Sequence, residues 1–313
     1  MQPTTPDLTH RTVLLTGARG FIGSHLLARL GTLGAEVHAV SRTPPSVTAG
    51  ATWHVLDLAD AEAVDAVVGS LRPEIVYHLA SHVFGARDLE MVLPTFRSNL
   101  ASTVHLLTSV ERAGGCRRFV LTGSLEEPDV ETPLEPPASP YAAAKAAASA
   151  YARMFHALYG TPVVLARLFM VYGPAQRDLK KLVPYVSLAL AGGREIKLSS
   201  GLRPVDWVFV DDVVEGLVRS GVAPGLEGQR VDLGSGRLET IRGVVERLYE
   251  IAGASTPPPF GTLPDRPLEQ VRAADADRTQ EVLGWCPRTT LEEGLRATFE
   301  WYREELGAGR IAL

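Results

Sequence analysis

TGARGFIG, Thr16 to Gly23, lies between an apolar run, Thr12–Thr16, and a helical repeat of Ile22, Leu26, Leu30 and Leu33. Its glycines are Gly17, Gly20 and Gly23. In such a loop one glycine permits an unusual φ at the turn. A second lets backbone approach a pyrophosphate, and a third lets the helix pack tightly on the sheet. The helix N-terminus then offers N–H groups and partial positive charge to the phosphates. Gly17, Gly20 and Gly23, with Arg19, Phe21 and Ile22 between them, form a candidate dinucleotide loop. Glycine spacing alone is weak evidence; its place after a first strand and before an amphipathic helix makes it specific.

Outward from this loop, short apolar runs alternate with helical patterns. The runs are Thr12–Thr16, Glu36–Ser41, Thr52–Leu56, Glu74–Leu79 and Arg118–Thr122, with Pro162–Phe169 after an alanine-rich segment. This alternation predicts an α/β fold, a doubly wound Rossmann-type parallel sheet. From about Tyr172 the pattern loosens, and proline-rich loops occupy Pro128–Pro140 and Thr256–Pro267. The expected plan is a dinucleotide-binding domain over residues 1–170, also receiving roughly 205–240. A smaller substrate-binding domain takes most of 171–313.

The chain has 313 residues, a net charge of −5 and 45% apolar residues, enough for a sizeable core and unlike a disordered chain. Without long runs of one sign, nucleic-acid binding through phosphate contacts is not expected. No apolar run is long enough to span a bilayer and no secretory segment is visible at Met1–Arg11, so a cytoplasmic protein is the expectation. Two cysteines, Cys116 and Cys286, exclude a disulfide scaffold and a cysteine-rich zinc site.

The second strand ends at Val40-Ser41-Arg42, where an NAD-binding chain usually carries an acid for the ribose 2′-hydroxyl. A carboxylate repels a 2′-phosphate, whereas a guanidinium grips it with two hydrogen bonds. Ser41 and Arg42, with Arg19 from the loop, therefore favour NADP over NAD; the competing reading leaves both arginines as solvated surface charges. Asp57, ending the third strand, is placed either to accept from the adenine amino group or to cap a helix.

In SPYAAAK, Ser139 is a good N-cap and Pro140 a good first residue, so a helix is expected to start there. Tyr141 and Lys145 then share one face. An ammonium beside a phenol is expected to lower the tyrosine's pKa toward a range useful for proton transfer. Ser124, at the carboxyl end of the strand Arg118–Thr122, is placed to hydrogen-bond the same substrate oxygen.

Together these residues resemble the extended short-chain dehydrogenases/reductases, in the NAD-dependent epimerase/dehydratase family that acts on nucleotide sugars. The resemblance rests on TGARGFIG, Asp57-Leu58, YHLAS (Tyr77–Ser81), Ser124, Tyr141 and Lys145. It continues through RLFMVYGP (Arg167–Pro174), VDWVFVDDVV (Val205–Val214), LGSG (Leu233–Gly236), DRPLEQVRAAD (Asp265–Asp275) and LGWCP (Leu283–Pro287). It implies cofactor contacts at Leu58, Leu79 and Ala80. It also makes Lys145 an anchor for the nicotinamide ribose and Arg203 and Arg266 candidate ligands of the substrate pyrophosphate. A homodimer formed by the Tyr141 helix and the helix after Asn99 is implied too, with Tyr151, Phe155 and Leu158 as an apolar ridge.

Three departures bear on the reaction: Ser41 replaces the usual acid, Met170 the substrate-contacting asparagine, and LEEP (Leu125–Pro128) the usual residues after the serine. Glu126 stands where the family's dehydratases carry a glutamate for C5 chemistry, and Leu125 where many have the partnering aspartate. The competing reading makes Glu126 and Glu127 loop carboxylates. The NADP argument puts a 4-ketoreductase of a nucleotide-linked keto-sugar first, with a 4-epimerase or 4,6-dehydratase as alternatives. A non-catalytic NADP sensor or scaffold is the alternative of another class. His78 and His82 straddle a strand end without a third ligand, so they read as polar contacts, and no metal is expected. Asn99 reads as structural, Trp207 and Trp285 as packing residues, and Asp211 and Asp212 as a helix cap.

Overall fold

In the computed structural model, residues 6–44, 50–83, 87–128, 136–265 and 270–312 are described. The β-branched and leucine-rich runs form the strands. Those of the first unit are β1 (Thr12–Thr16), β2 (Glu36–Ser41), β3 (Thr52–Val55), β4 (Ile75–His78), β5 (Arg118–Ser124), β6 (Val163–Leu168) and β9 (Arg230–Leu233). They build a seven-stranded parallel sheet in the order β3-β2-β1-β4-β5-β6-β9. The order reverses between β1 and β4, and ligands of open α/β sheets bind beyond the carboxyl ends of strands at such a reversal. The glycine loop leaves β1 at that point.

The chain divides into two compact units. The first holds 1–168, 214–232 and 277–285; the second holds 169–213, 233–276 and 286–313. In the first, β1 runs into α1 (Phe21–Thr32), while α2 (Ala61–Leu71), α4 (Ser102–Ala113) and α5 (Pro140–Tyr159) complete the layers. A short helix α3 (Val92–Thr95) and a π-helical turn, Phe96–Ala101, precede α4. Val76, Phe119, Leu121 and Leu165 of the sheet pack with Leu106 and Val110 of α4 and Ala148 and Ala152 of α5. Arg167 and Asp232 form a buried bidentate ion pair, with Nε donating to Oδ1 at 2.8 Å.

In the second unit, β7 (Met170–Tyr172) pairs in parallel with β8 (Pro204–Phe209), and β10 (Leu238–Thr240) is antiparallel to β8. Helices α6 (Leu182–Gly192), α8 (Ile241–Ala252) and α10 (Leu291–Gly307) surround a core of Tyr172, Trp207, Leu248 and Leu295. Asp206, on β8, is 1% exposed. It accepts from the backbone of Ser235 (2.6 Å), Gly236 (2.9 Å) and Ala274 (2.8 Å), and from the Ser235 hydroxyl (2.7 Å).

Several local expectations shift. β5 runs on to Ser124, so the serine is its last residue. Helix α7 (Val210–Val222) places Asp211 and Asp212 inside its first turn; the Asp212 carboxylate accepts from Arg288 and Thr289 backbone N–H groups, both at 3.0 Å. Asp60, not Asp57, caps α2, accepting from Glu62 and Ala63. Trp207 and Trp285 are buried. Among the described residues no helix is long and apolar enough to cross a membrane.

Candidate active site

Gly17 sits at φ 73° with its Cα against the end of β4: a Cβ there would lie 2.7 Å from Ala80 N. A Cβ on Gly23 would lie 2.1 Å from Gly17 O. Only glycine fits both places, and Gly20 N–H closes the turn onto Gly17 O at 2.8 Å. No side chain caps α1 at Gly20. Backbone donors at a helix N-terminus, reached through side-chain-free backbone, suit a pyrophosphate, so the loop fits a dinucleotide. Leu79 and Ala80 lie beside it, with Leu79 N–H bonded to Thr16 O (3.3 Å) and Ala80 N–H to Thr16 Oγ1 (3.2 Å).

At the end of β2, the Ser41 hydroxyl donates to Thr43 O at 2.7 Å, and the Arg19 guanidinium donates to the same carbonyl at 3.2 Å and to the Thr43 hydroxyl. Arg42 is exposed beside them. Asp57 is exposed, with its carboxylate accepting from Ala59 N–H at 3.0 Å, and Leu58 is buried.

Ser139 caps α5 as its sequence predicts, accepting from Ala142 N–H at 3.1 Å. Ser124, Tyr141 and Lys145 are all buried. Lys145 Nζ donates to Thr122 O at 2.8 Å. Burial pushes its pKa down to about 8, against the opposing pull of Glu127. The expected lowering of the Tyr141 pKa does not occur. Burial raises it above the ordinary phenol value, the hydroxyls of Ser124 and Ser81 pull it back in part, and the carboxylates of Glu126 and Glu127 raise it further. Desolvation of the phenolate is the largest of these causes.

Beneath these groups lies His78. Thr103 Oγ1 donates to Asn99 O (2.7 Å), so it accepts from His78 Nε2 (3.0 Å). His78 Nδ1 then accepts from Thr16 Oγ1 (2.7 Å), which leaves a neutral imidazole with its proton on Nε2. Asn99 is structural, holding the His82 backbone through both amide atoms at 2.6 and 3.2 Å.

Glu126 donates its backbone N–H to Ser124 Oγ at 3.2 Å. Glu127 is the acid that turns back onto the strand end. Its Oε1 accepts from Ser124 N–H at 2.7 Å and its Oε2 from the Ser149 hydroxyl at 2.8 Å. Met170 and Arg203 belong to the second unit, on β7 and just before β8. Arg266 lies outside the described residues. Sequence reasoning missed Ser81, His78 and Glu127 as site groups. Ser81 had one usable signal, its position just beyond the carboxyl end of a central parallel strand. Among the described residues no group of His, Cys, Asp and Glu side chains is set to hold a metal.

The family model "NAD dependent epimerase/dehydratase family" matches residues 13–234. A UDP-glucose 4-epimerase of Mycolicibacterium smegmatis is 33% identical over 316 aligned positions, covering 93% of this chain and 98% of that protein. The crystal structure of a Thermotoga maritima UDP-glucose 4-epimerase with UDP-glucose superposes with a TM-score of 0.84 at 28% identity, covering 94% and 99% of the two chains. A Thermus thermophilus UDP-glucose 4-epimerase complexed with NAD gives 0.81 at 28% identity, covering 93% and 98%.

Proposed function

The chain belongs to the NAD dependent epimerase/dehydratase family, and on that premise we propose that it oxidises and re-reduces C4 of a nucleotide sugar as a 4-epimerase. The observation that carries this reading is the triad of Ser124, Tyr141 and Lys145, buried at the carboxyl end of β5 in the same unit as the glycine loop. The loop of Gly17, Gly20 and Gly23 would hold a nicotinamide dinucleotide, which would supply the hydride acceptor and donor. As a phenolate, Tyr141 would take the C4 hydroxyl proton as hydride leaves C4 and give it back when the 4-keto group is reduced, and Ser124 donates the second hydrogen bond to that oxygen. Lys145 gives positive charge to the same place and a donor for the cofactor ribose. Met170, Arg203 and Arg266 are the proposed substrate contacts.

A 4,6-dehydratase needs a further acid–base pair. Glu126 offers one carboxylate, whose charge bears on Tyr141, but Leu125 supplies no partnering acid, and the Glu127 carboxylate is already engaged by Ser124 and Ser149. A second reading, an NADPH-dependent 4-ketoreductase, is favoured by Ser41, Arg42 and Arg19, because net reductions in cells draw on NADPH. Incubation with a panel of UDP- and dTDP-hexoses and their 4-keto derivatives, with products resolved by NMR, tests both. Interconversion of C4 epimers supports the first reading and one-way consumption of NADPH the second. No change in any sugar excludes both.

We also propose a homodimer. Leu89, Leu93 and Phe96, before and within the π-helical turn, are exposed, as are Tyr151 and Leu158 of α5, the helix packed against that turn. Phe155 is not part of this surface: it is buried, edge-on to Tyr159.

A further inference from the structure

We propose that Glu127 is a positioning residue whose carboxylate ties the catalytic end of β5 to the catalytic helix α5, fixing Ser124 relative to Lys145. The inference deepens the function proposed above and rests on it. Three observations converge. Oε1 accepts from Ser124 N–H at 2.7 Å, so the carboxylate holds the backbone from which the serine hydroxyl projects. Oε2 accepts from the hydroxyl of Ser149 at 2.8 Å, one helical turn beyond Lys145. Gly123 makes room for this: a Cβ there would lie 2.7 Å from Oε1. The strand end therefore lacks a side chain at the one place where the carboxylate seats itself.

Both carboxylate oxygens are occupied by donors from opposite sides, which suits a brace rather than a proton shuttle. Such an anchored carboxylate is also a fixed negative charge near Lys145, opposing the loss of the ammonium to burial. Glu126, its neighbour, donates its backbone N–H to Ser124 Oγ.

Four variants test the proposal, with kcat and KM measured at pH 6.5, where Lys145 keeps its proton. Glu127→Ala is expected to lose about ten- to a hundredfold in kcat with KM little changed, the scale of a slightly misplaced catalytic group. Glu127→Gln is expected within about threefold of wild type. Its amide oxygen accepts from Ser124 N–H, and its NH2 donates to a Ser149 hydroxyl that has turned to accept. Gly123→Ala leaves the carboxylate in the chain but displaces it, so it should reproduce the Glu127→Ala loss, and the double variant should be no slower than either single.

Wild-type kcat in Glu127→Ala overturns the proposal. So does a Glu127→Gln enzyme as slow as Glu127→Ala, which makes the negative charge rather than the brace the working feature. Multiplying effects of Gly123→Ala and Glu127→Ala overturn it as well. If the wild type turns over no nucleotide sugar, the proposed function fails, and the brace is then read from urea unfolding of Glu127→Ala, Ser149→Ala and the double variant. Coupled losses support it and additive losses overturn it.

Discussion

Lys145 Nζ, buried in α5, donates a 2.8 Å hydrogen bond to the carbonyl oxygen of Thr122, two residues before the end of β5. The ammonium is thereby fixed across the helix–sheet interface, and burial depresses its pKa to about 8. Lys145 is protonated below that value and neutral above it. Cofactor affinity is therefore expected to be flat below pH 7 and to weaken as pH rises through about 8. Fluorescence titration of the cofactor across pH checks this, and in Lys145→Met the dependence should vanish and affinity be low throughout.

Cofactor choice follows from the end of β2. With Ser41, Arg42 and Arg19 in place of an acid, NADP is expected to bind more tightly than NAD. One charge-assisted bidentate contact contributes about 1.5–3 kcal/mol, roughly ten- to a hundredfold. Calorimetry on wild type and Arg42→Ala measures it; equal affinities of the wild type for the two cofactors contradict it.

The imidazole of His78 predicts an acid-sensitive fold. Burial holds its pKa down to about 3, with the Lys145 charge pushing the same way. The unfolded chain binds a proton there from about pH 6.5, so the stability gained by burying the neutral ring is complete above 6.5 and is lost as pH falls toward 3. The slope from this one group is about 1.4 kcal/mol per pH unit. Urea unfolding between pH 7 and 4 should show that slope in the wild type, and His78→Gln should flatten it while lowering stability at pH 7.

The apolar surface of Leu93, Phe96, Tyr151 and Leu158 predicts particles of twice the chain mass by light scattering at micromolar concentration. Phe96→Glu with Tyr151→Glu should give the single-chain mass without unfolding.

Backbone constraints and helical spacing were the legible part of this chain. Gly17, Gly20 and Gly23 announce a close backbone approach, and Ser139-Pro140 announces the helix that puts Tyr141 and Lys145 on one face. Choices of direction were not legible. Glu126 and Glu127 are adjacent and chemically identical, and only the fold shows which carboxylate turns onto Ser124. Asp57 and Asp60 are both fit to cap a helix, and the chain path selects Asp60. The sign of the Tyr141 shift depends on desolvation, which is a property of the whole packed site and has no local sequence pattern.

The central claim is that Tyr141 moves the proton at the sugar oxygen, and the direct measurement is turnover of the best nucleotide-sugar substrate by Tyr141→Phe beside cofactor binding by the same protein. The expected result is cofactor affinity close to wild type with kcat down by about 10²–10⁴-fold, the range of a lost general acid–base. A folded Tyr141→Phe protein with near-normal kcat would contradict the assignment of roles at this site.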